Sequence, residues 1–317
     1  MRPIEISDSN PIPKPHWLMS ATKTISFRLI RSLAVLAALA CTPCYAATGD
    51  LYESDVFSGT IYIFAPTGAR STFTSGLNLP AGLAFDSSGN LFEADYGSNT
   101  IFEFAPTGIK TVFASGLNGP VGLAFDIAGN LYEADEQSGT IFKFAPDGTK
   151  TMFASDLGTP GALAFDAMGN LFETDYNQGA VFEITPTGVR TTFASGLEGP
   201  TGLAFDSLGN LYVADEDSGN IFKFSPAGVK TTFVSGLNGP FGLAFDSSGD
   251  LFVSQINANT ILKISPDGTQ SPFASSLNGP TYLAFQGGTL PVPEPGTISL
   301  IVTALGFSGS LRLLRKR

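Results

Sequence analysis

The stretch LAFDIAGNLYEADEQSGTIFKFAPDGTKTMFASDLGTP, residues 123–160, decides the fold. It opens on the short apolar run LAF, followed by the turn DIAGN, in which Asp126 can form an Asx turn and Gly129 supplies a positive φ. LYEAD is a second strand. EQSG turns the chain into TIFKFA, and PDG turns it again into TKTMFAS. LGTP then crosses to the next unit. No segment has a 3.6-residue apolar period, so the unit reads as an antiparallel meander of four short strands. Leu131 and Phe142 are apolar on one face of it, Tyr132 and Ile141 on the other. A sheet that is apolar on both faces must be stacked on both.

The unit recurs every 40 residues. LAF begins at Leu83, Leu123, Leu163, Leu203, Leu243 and Leu283, each preceded three positions earlier by Pro80, Pro120, Pro160, Pro200, Pro240 or Pro280. The repeats fill residues 47–286, which is six times 40. Units of this length, built of several short strands, stack radially around an axis. The expected fold is therefore all-β: a six-bladed β-propeller of four-stranded antiparallel blades. The first unit starts at Gly49-Asp50-Leu51 and lacks LAF, whereas the last ends in a surplus LAF at residues 283–285. The C-terminal strand should complete the first blade from inside and close the ring.

The remaining segments, 1–46 and 287–317, read as addresses. Lys23, Arg28 and Arg31 lead into an apolar run at 33–40 and small residues ending at Ala46. This is the layout of a secretory signal peptide cut by signal peptidase after Ala46, with Met19 an alternative start to Met1. The only histidine, His16, and both cysteines, Cys41 and Cys44, lie upstream of that cut. The exported domain would then lack disulfides, thiol chemistry and histidine, which excludes Ser-His-Asp, Cys-His and His-rich zinc sites. The repeat region holds eight of the 17 basic and 25 of the 28 acidic residues, a net charge of 8 − 25 = −17. So acidic a domain repels phosphate backbones, and a nucleic-acid partner is not expected.

Across residues 119–149, GPVGLAFDIAGNLYEADEQSGTIFKFAPDGT, and its copies, the chain resembles NHL-type repeats, within the broader group that includes gluconolactonase and regucalcin. The resemblance covers all six units and implies the propeller. Such folds host binding proteins, lyases and lactonases, so function must be argued from a site. It also implies that metal-dependent members carry a Glu in a Glu-Gly-Pro loop, with Asn and Asp ligands directly after the repeat prolines. Glu198-Gly199-Pro200 matches the first element. The residues after the prolines are Ala81, Val121, Gly161, Thr201, Phe241 and Thr281, expected to line the central opening, and none is Asn or Asp. A divalent ion wants several oxygen ligands, which Glu198 alone does not supply. The chain also looks like streptogramin-lyase propellers, but those rely on histidine.

The tail is similar to the PEP-CTERM sorting signal: Pro293-Glu294-Pro295, an apolar run at 297–311, then Arg312 and the basic end Arg315-Lys316-Arg317. The resemblance implies an exosortase-type processing enzyme as partner, transient membrane anchoring through a short transmembrane helix, and release to the cell surface or surrounding polysaccharide. Fifteen helical residues reach about 22 Å at roughly 1.5 Å each, short of a bilayer core of about 30 Å. Snorkelling of Arg312 lengthens the span, and the basic end favours the cytoplasmic side. A permanent anchor is the alternative.

Two carboxylate columns are the candidate sites. Glu53, Glu93, Glu133 and Glu173 hold one second-strand position in four consecutive units, where Val213 and Val253 hold it in the others. Asp55, Asp95, Asp135, Asp175 and Asp215 end the same strands two residues later. A buried carboxylate is costly unless paired or hydrogen-bonded. The expectations are bonds to backbone amides and hydroxyls of neighbouring turns or, alternatively, a cation such as Ca2+ between blades or at the loop face, or exposure at the sheet rim, with Glu198 as a further metal candidate. Arg70, Lys110, Lys150, Arg190 and Lys230 begin the outermost strands, where charge discourages edge-to-edge aggregation. The function expected is an exported, non-catalytic binding or structural module of the cell surface or matrix. A metal-dependent hydrolase of the sugar-lactonase type is the alternative.

Overall fold

The computed structural model describes residues 49–287. The segment expected to be a signal peptide, with Ala46, and the tail with Pro293, Glu294, Pro295 and Arg315-Lys316-Arg317, lie outside the described residues. Twenty-four strands form six four-stranded antiparallel sheets. In the third blade Pro120–Phe125 pairs with Leu131–Asp135, which pairs with Thr140–Phe144, which pairs with Lys150–Ala154. The first blade joins Leu51–Asp55, Thr60–Phe64 and Arg70–Ser75 to the last strand, Pro280–Phe285, through Leu51↔Phe285 and Glu53↔Leu283. The C-terminal strand thus closes the ring, as the repeat phase requires. The described ends meet beside it, where the Gly49 N–H donates to the Gln286 carbonyl at 3.0 Å.

The turns follow from their side chains. Asp126 accepts the backbone N–H of Ala128 and Asn130 at 2.9 Å each, and Gly129 stands at φ 80°. The same Asx pattern recurs at Asp86, Asp166, Asp206 and Asp246. Because all strand pairs are antiparallel, the turns between first and second and between third and fourth strands share one end of each blade. A Cβ on Gly129 would sit 3.7 Å from the Pro146 ring across those two turns. That end is the lower face. The proline crossovers and second-to-third turns form the upper face.

The inner strand is longer than LAF. It begins at the proline, because Pro120 pairs with Asp135 and a register shift precedes Leu123. The bulge spoils the two-residue alternation that marks a strand in sequence. Between blades, Phe92, Ala94 and Ile101 of the second pack on Leu123, Leu131 and Phe144 of the third. Edge-to-face rings reinforce each seam: Tyr132 lies 4.9 Å from Phe153 and 4.9 Å from Phe165 of the next blade. Each fully buried large apolar side chain contributes about 1.5–3 kcal/mol, so the seams hold the ring together.

Deleting residues 283–285 removes the second half of the closing strand and exposes the inner edge of Leu51–Asp55. A drop of at least about 10 °C in the melting temperature is expected, read by circular dichroism, since several kcal/mol of burial are lost and each costs a few degrees.

Candidate functional site

The Asp column is structural glue of the upper face. Asp95 accepts the Asn78 N–H at 2.8 Å with one carboxylate oxygen and the Ser98 N–H at 3.0 Å with the other, tying the crossover to the next turn. Asp135 repeats this with Asn118 and Ser138. Asp55 does so with Asn278 and Ser58, and so joins the two ends of the repeat array. Asp175 takes Thr159 and Gln178, and Asp215 takes the N–H groups of Glu198 and Gly199. In the sixth blade Gln255 stands in, accepting the Asn238 N–H at 2.9 Å.

The Glu column behaves differently. Glu53, Glu93, Glu133 and Glu173 are all 0% exposed. Glu173 is paired: Arg190 reaches it from the outermost strand with bonds of 3.1 and 3.3 Å, crossing 3.3 Å above the Phe182 ring. Neither carboxylate oxygen of Glu53, Glu93 or Glu133 has a hydrogen-bond partner. The expected backbone bonds are therefore made by the Asp column and not by these three residues. The reason is geometric. Glu93 stands opposite Leu83 and Phe102, mid-strand, away from the turn and crossover amides that the Asp column meets. Lys110 and Lys150 stop over Phe102 and Phe142, at 3.5 and 3.6 Å. Arg70 lies over Tyr62 and donates instead to the Ser276 carbonyl. The basic column thus stacks on aromatic rings as well as marking the sheet edge.

Burial pushes Glu53, Glu93 and Glu133 well above the ordinary carboxylate range, with the Asp two residues on adding to it. Burial raises Glu173 to about 7, held back by Arg190. A folded-state pKa above the unfolded one means that the native state binds more protons, so stability falls as pH rises from the unfolded value through the folded one. Among the described residues no group of three or more His, Cys, Asp or Glu side chains is set to hold a metal ion.

The hub is filled. Gly82, Gly122, Gly202 and Gly242 let neighbouring inner strands touch, because a Cβ there would strike the carbonyl of Val121, Gly161, Phe241 or Thr281 on the next blade. Ala81, Val121, Gly161, Thr201, Phe241 and Thr281 do not line the opening but are buried in these seams. The Thr201 hydroxyl, for instance, lies 3.2 and 3.3 Å from the carbonyls of Pro240 and Phe241. The bulge turns them sideways and presents the following residues to the axis. A cavity of about 60 Å³ remains, ringed by Leu83, Leu123, Leu163, Leu203, Leu243 and Leu283. Tyr282 replaces the repeat glycine and plugs it, packing on clusters on both sides of the axis and lying 5.5 Å from the Phe241 ring. Leu79, in the slot where four other blades have Gly, adopts φ 57° and joins the same cluster. A non-glycine residue held there is strained.

Above the plug, one column departs from the repeat: Val56, Tyr96, Glu136, Tyr176, Glu216 and Ile256 follow the Asp column around the rim. Val56 and Ile256 pack with Phe241 into an apolar sector. The other sector is acidic and phenolic. Gln137 donates to the Tyr96 hydroxyl at 2.9 Å, and the Tyr176 hydroxyl donates to Asp217 at 2.8 Å. Burial chiefly, then nearby carboxylates, push the Tyr96 and Tyr176 hydroxyls up, and burial does the same at Tyr282, with Glu136 adding to it. The sequence reading passed over Tyr96, Tyr176 and Tyr282. The cue was the variability of this column within an otherwise repetitive chain. Glu198 stays outside the ring, its side chain exposed while its N–H binds Asp215.

Glu133→Val installs the residue of the fifth and sixth blades. It is expected to stabilise the protein at pH 7.5 by about 1–3 kcal/mol, the desolvation cost of one unpaired buried polar group, and to flatten the fall in melting temperature above pH 4.5. Arg190→Met leaves Glu173 unpaired and should lower stability by about 3–5 kcal/mol at pH 7.5, and by less at pH 5, where Glu173 is protonated. Urea titrations at the two pH values check both.

Comparison with known proteins agrees with this architecture. Residues 159–290 match the sequence model of the SMP-30/Gluconolactonase/LRE-like region. No curated protein sequence matches the chain. Among solved structures, a streptogramin B lyase superposes with a TM-score of 0.62 at 17% identity, covering 74% of this chain and 83% of that one. The virginiamycin B lyase of Staphylococcus aureus gives 0.61 at 15%, covering 76% and 89%. A chain of a nidogen/laminin complex gives 0.69 at 20%, covering 75% and 98%. The chain therefore carries a six-bladed propeller of the gluconolactonase and virginiamycin B lyase type.

Proposed function

We propose that this chain is an exported propeller of the cell surface or matrix that binds a partner and performs no chemistry on it. The filled hub carries the reading. Small-molecule sites usually occupy about 300–1,000 Å³, whereas the space inside the leucine ring is about 60 Å³ and is closed by Tyr282. A partner engages the upper face instead, where the half-buried Tyr176 bonds the exposed Asp217 and the exposed Gln137 bonds Tyr96. Aromatic, carboxylate and amide groups side by side suit a hydroxyl-rich or cationic polymer, such as extracellular polysaccharide or a basic surface protein. Export and anchoring rest on the signal peptide ending at Ala46 and on the Pro-Glu-Pro tail.

The second reading, a metal-dependent sugar lactonase, is favoured by the match over residues 159–290 and by Glu198-Gly199-Pro200. One assay separates the two. The purified protein is incubated with sugar lactones, with calcium and with EDTA, beside Glu198→Gln. The expected result is no hydrolysis above the Glu198→Gln background in any condition. Chelator-sensitive turnover lost in Glu198→Gln would establish the lactonase.

A further inference from the structure

The lower face carries a patch that the binding reading leaves unused. Ile127, Met168 and Leu208, at the tips of three consecutive first turns, are 90, 84 and 77% exposed. Ile109, Val189 and Val229, in the turns between third and fourth strands, are 63, 57 and 62% exposed. All six belong to blades two to five. The corresponding turns of blades one and six carry Ala69, Thr269, Ser247 and Ser248. So many exposed aliphatic tips on one face of an acidic domain call for an occupant.

Three observations name it. Gly49 and Gly287, the described ends, leave from this same face beside the first blade, across it from the exposed tips of blades three to five. Nine residues, 288–296, then separate Gly287 from the apolar run 297–311, a tether of at most about 30 Å even fully extended. Finally, all eight basic residues of the described chain sit at the lower ends of third and fourth strands, as with Lys143 and Lys150, where they offset the carboxylates of Asp86, Asp126, Asp166, Asp206 and Asp246, and none is at the upper end. The upper end instead gathers the Asp column with Glu136, Glu216 and Asp217.

We propose that the lower face is a membrane-docking surface: with the tail in a bilayer, the propeller lies flat on it, the six aliphatic tips in the interface and the acidic upper face turned away. The tether holds one side of the face and the apolar turns hold the other, so two attachments fix the orientation. Aliphatic tips on a face where Lys143, Lys223 and Lys263 pair with Asp126, Asp206 and Asp246 suit the bilayer interface through apolar burial. This inference rests on the reading that the tail anchors the chain, and its test keeps the two apart.

Full-length protein in a Trp17→Phe background is reconstituted into phosphatidylethanolamine–phosphatidylglycerol vesicles with Leu208→Trp on the lower face or Ser138→Trp on the upper. Flotation reports anchoring, and quenching by brominated acyl chains reports contact. The expected result is flotation of both variants, with the residue-208 indole quenched and the residue-138 indole not. Replacing Ile127 and Met168 by serine should cut the quenching several-fold while flotation persists. Flotation with equal or no quenching at the two sites overturns the docking and leaves the anchor standing. Failure to float overturns the anchor, and the docking with it. A residue-208 indole that is blue-shifted but unquenched, in protein that sediments as a dimer, overturns the docking in favour of a second copy of this chain.

Discussion

Backbone-to-backbone contact at the axis is the constraint on which the structure depends. Neighbouring inner strands touch where the residue facing the next strand has no side chain, as at Gly82, Gly122, Gly202 and Gly242. With the strands that close, the leucines one position on converge into a single ring and exclude almost all space from the hub. The same tightness sends the side chains after the prolines into the seams. There the hydroxyls of Thr201, Thr174 and Ser254 meet carbonyls that the bulged inner strand leaves without ladder partners.

Ala162 and Tyr282 hold the two remaining positions, and Tyr282, with Leu79 from a neighbouring column, is where the molecule becomes individual. Tyr282 occupies a glycine slot in the closing strand, and Leu79 occupies a different one, at positive φ, in the crossover into the second blade. Both contribute to the apolar cluster that also takes in Val56, Phe241 and Ile256. The cost of a strained Leu, about 1 kcal/mol or more, is offset by burying it against that cluster. The propeller is thus sixfold in its walls and asymmetric along its axis.

How much of this was legible follows from where each residue sits in the repeat. Strand number, blade composition and ring closure were readable, because the Leu83-to-Leu283 series recurs without slippage. The DxxG turns were readable too, since an Asp two residues before an amide bonds locally whatever the rest of the fold does. The fate of Glu93 and Glu133 was not. Whether a mid-strand carboxylate finds a partner depends on whether a lysine or an arginine arrives from two strands away, and only Arg190 completes the crossing. The rim was hidden for the opposite reason. Val56, Tyr96 and Glu136 look like unrelated turn residues until the ring places them side by side.

The joining of residue 51 to residue 285 makes the order of synthesis matter. Until the final strand has emerged, the first sheet lacks its innermost member and its hub-facing side stays wet, so the earlier blades form an open arc that cannot lock. A chain threaded through a translocation pore from its N-terminus would therefore remain pliable for its entire passage. It would stiffen only once residues 280–285 had arrived, since contacts so distant along the chain are slow to make.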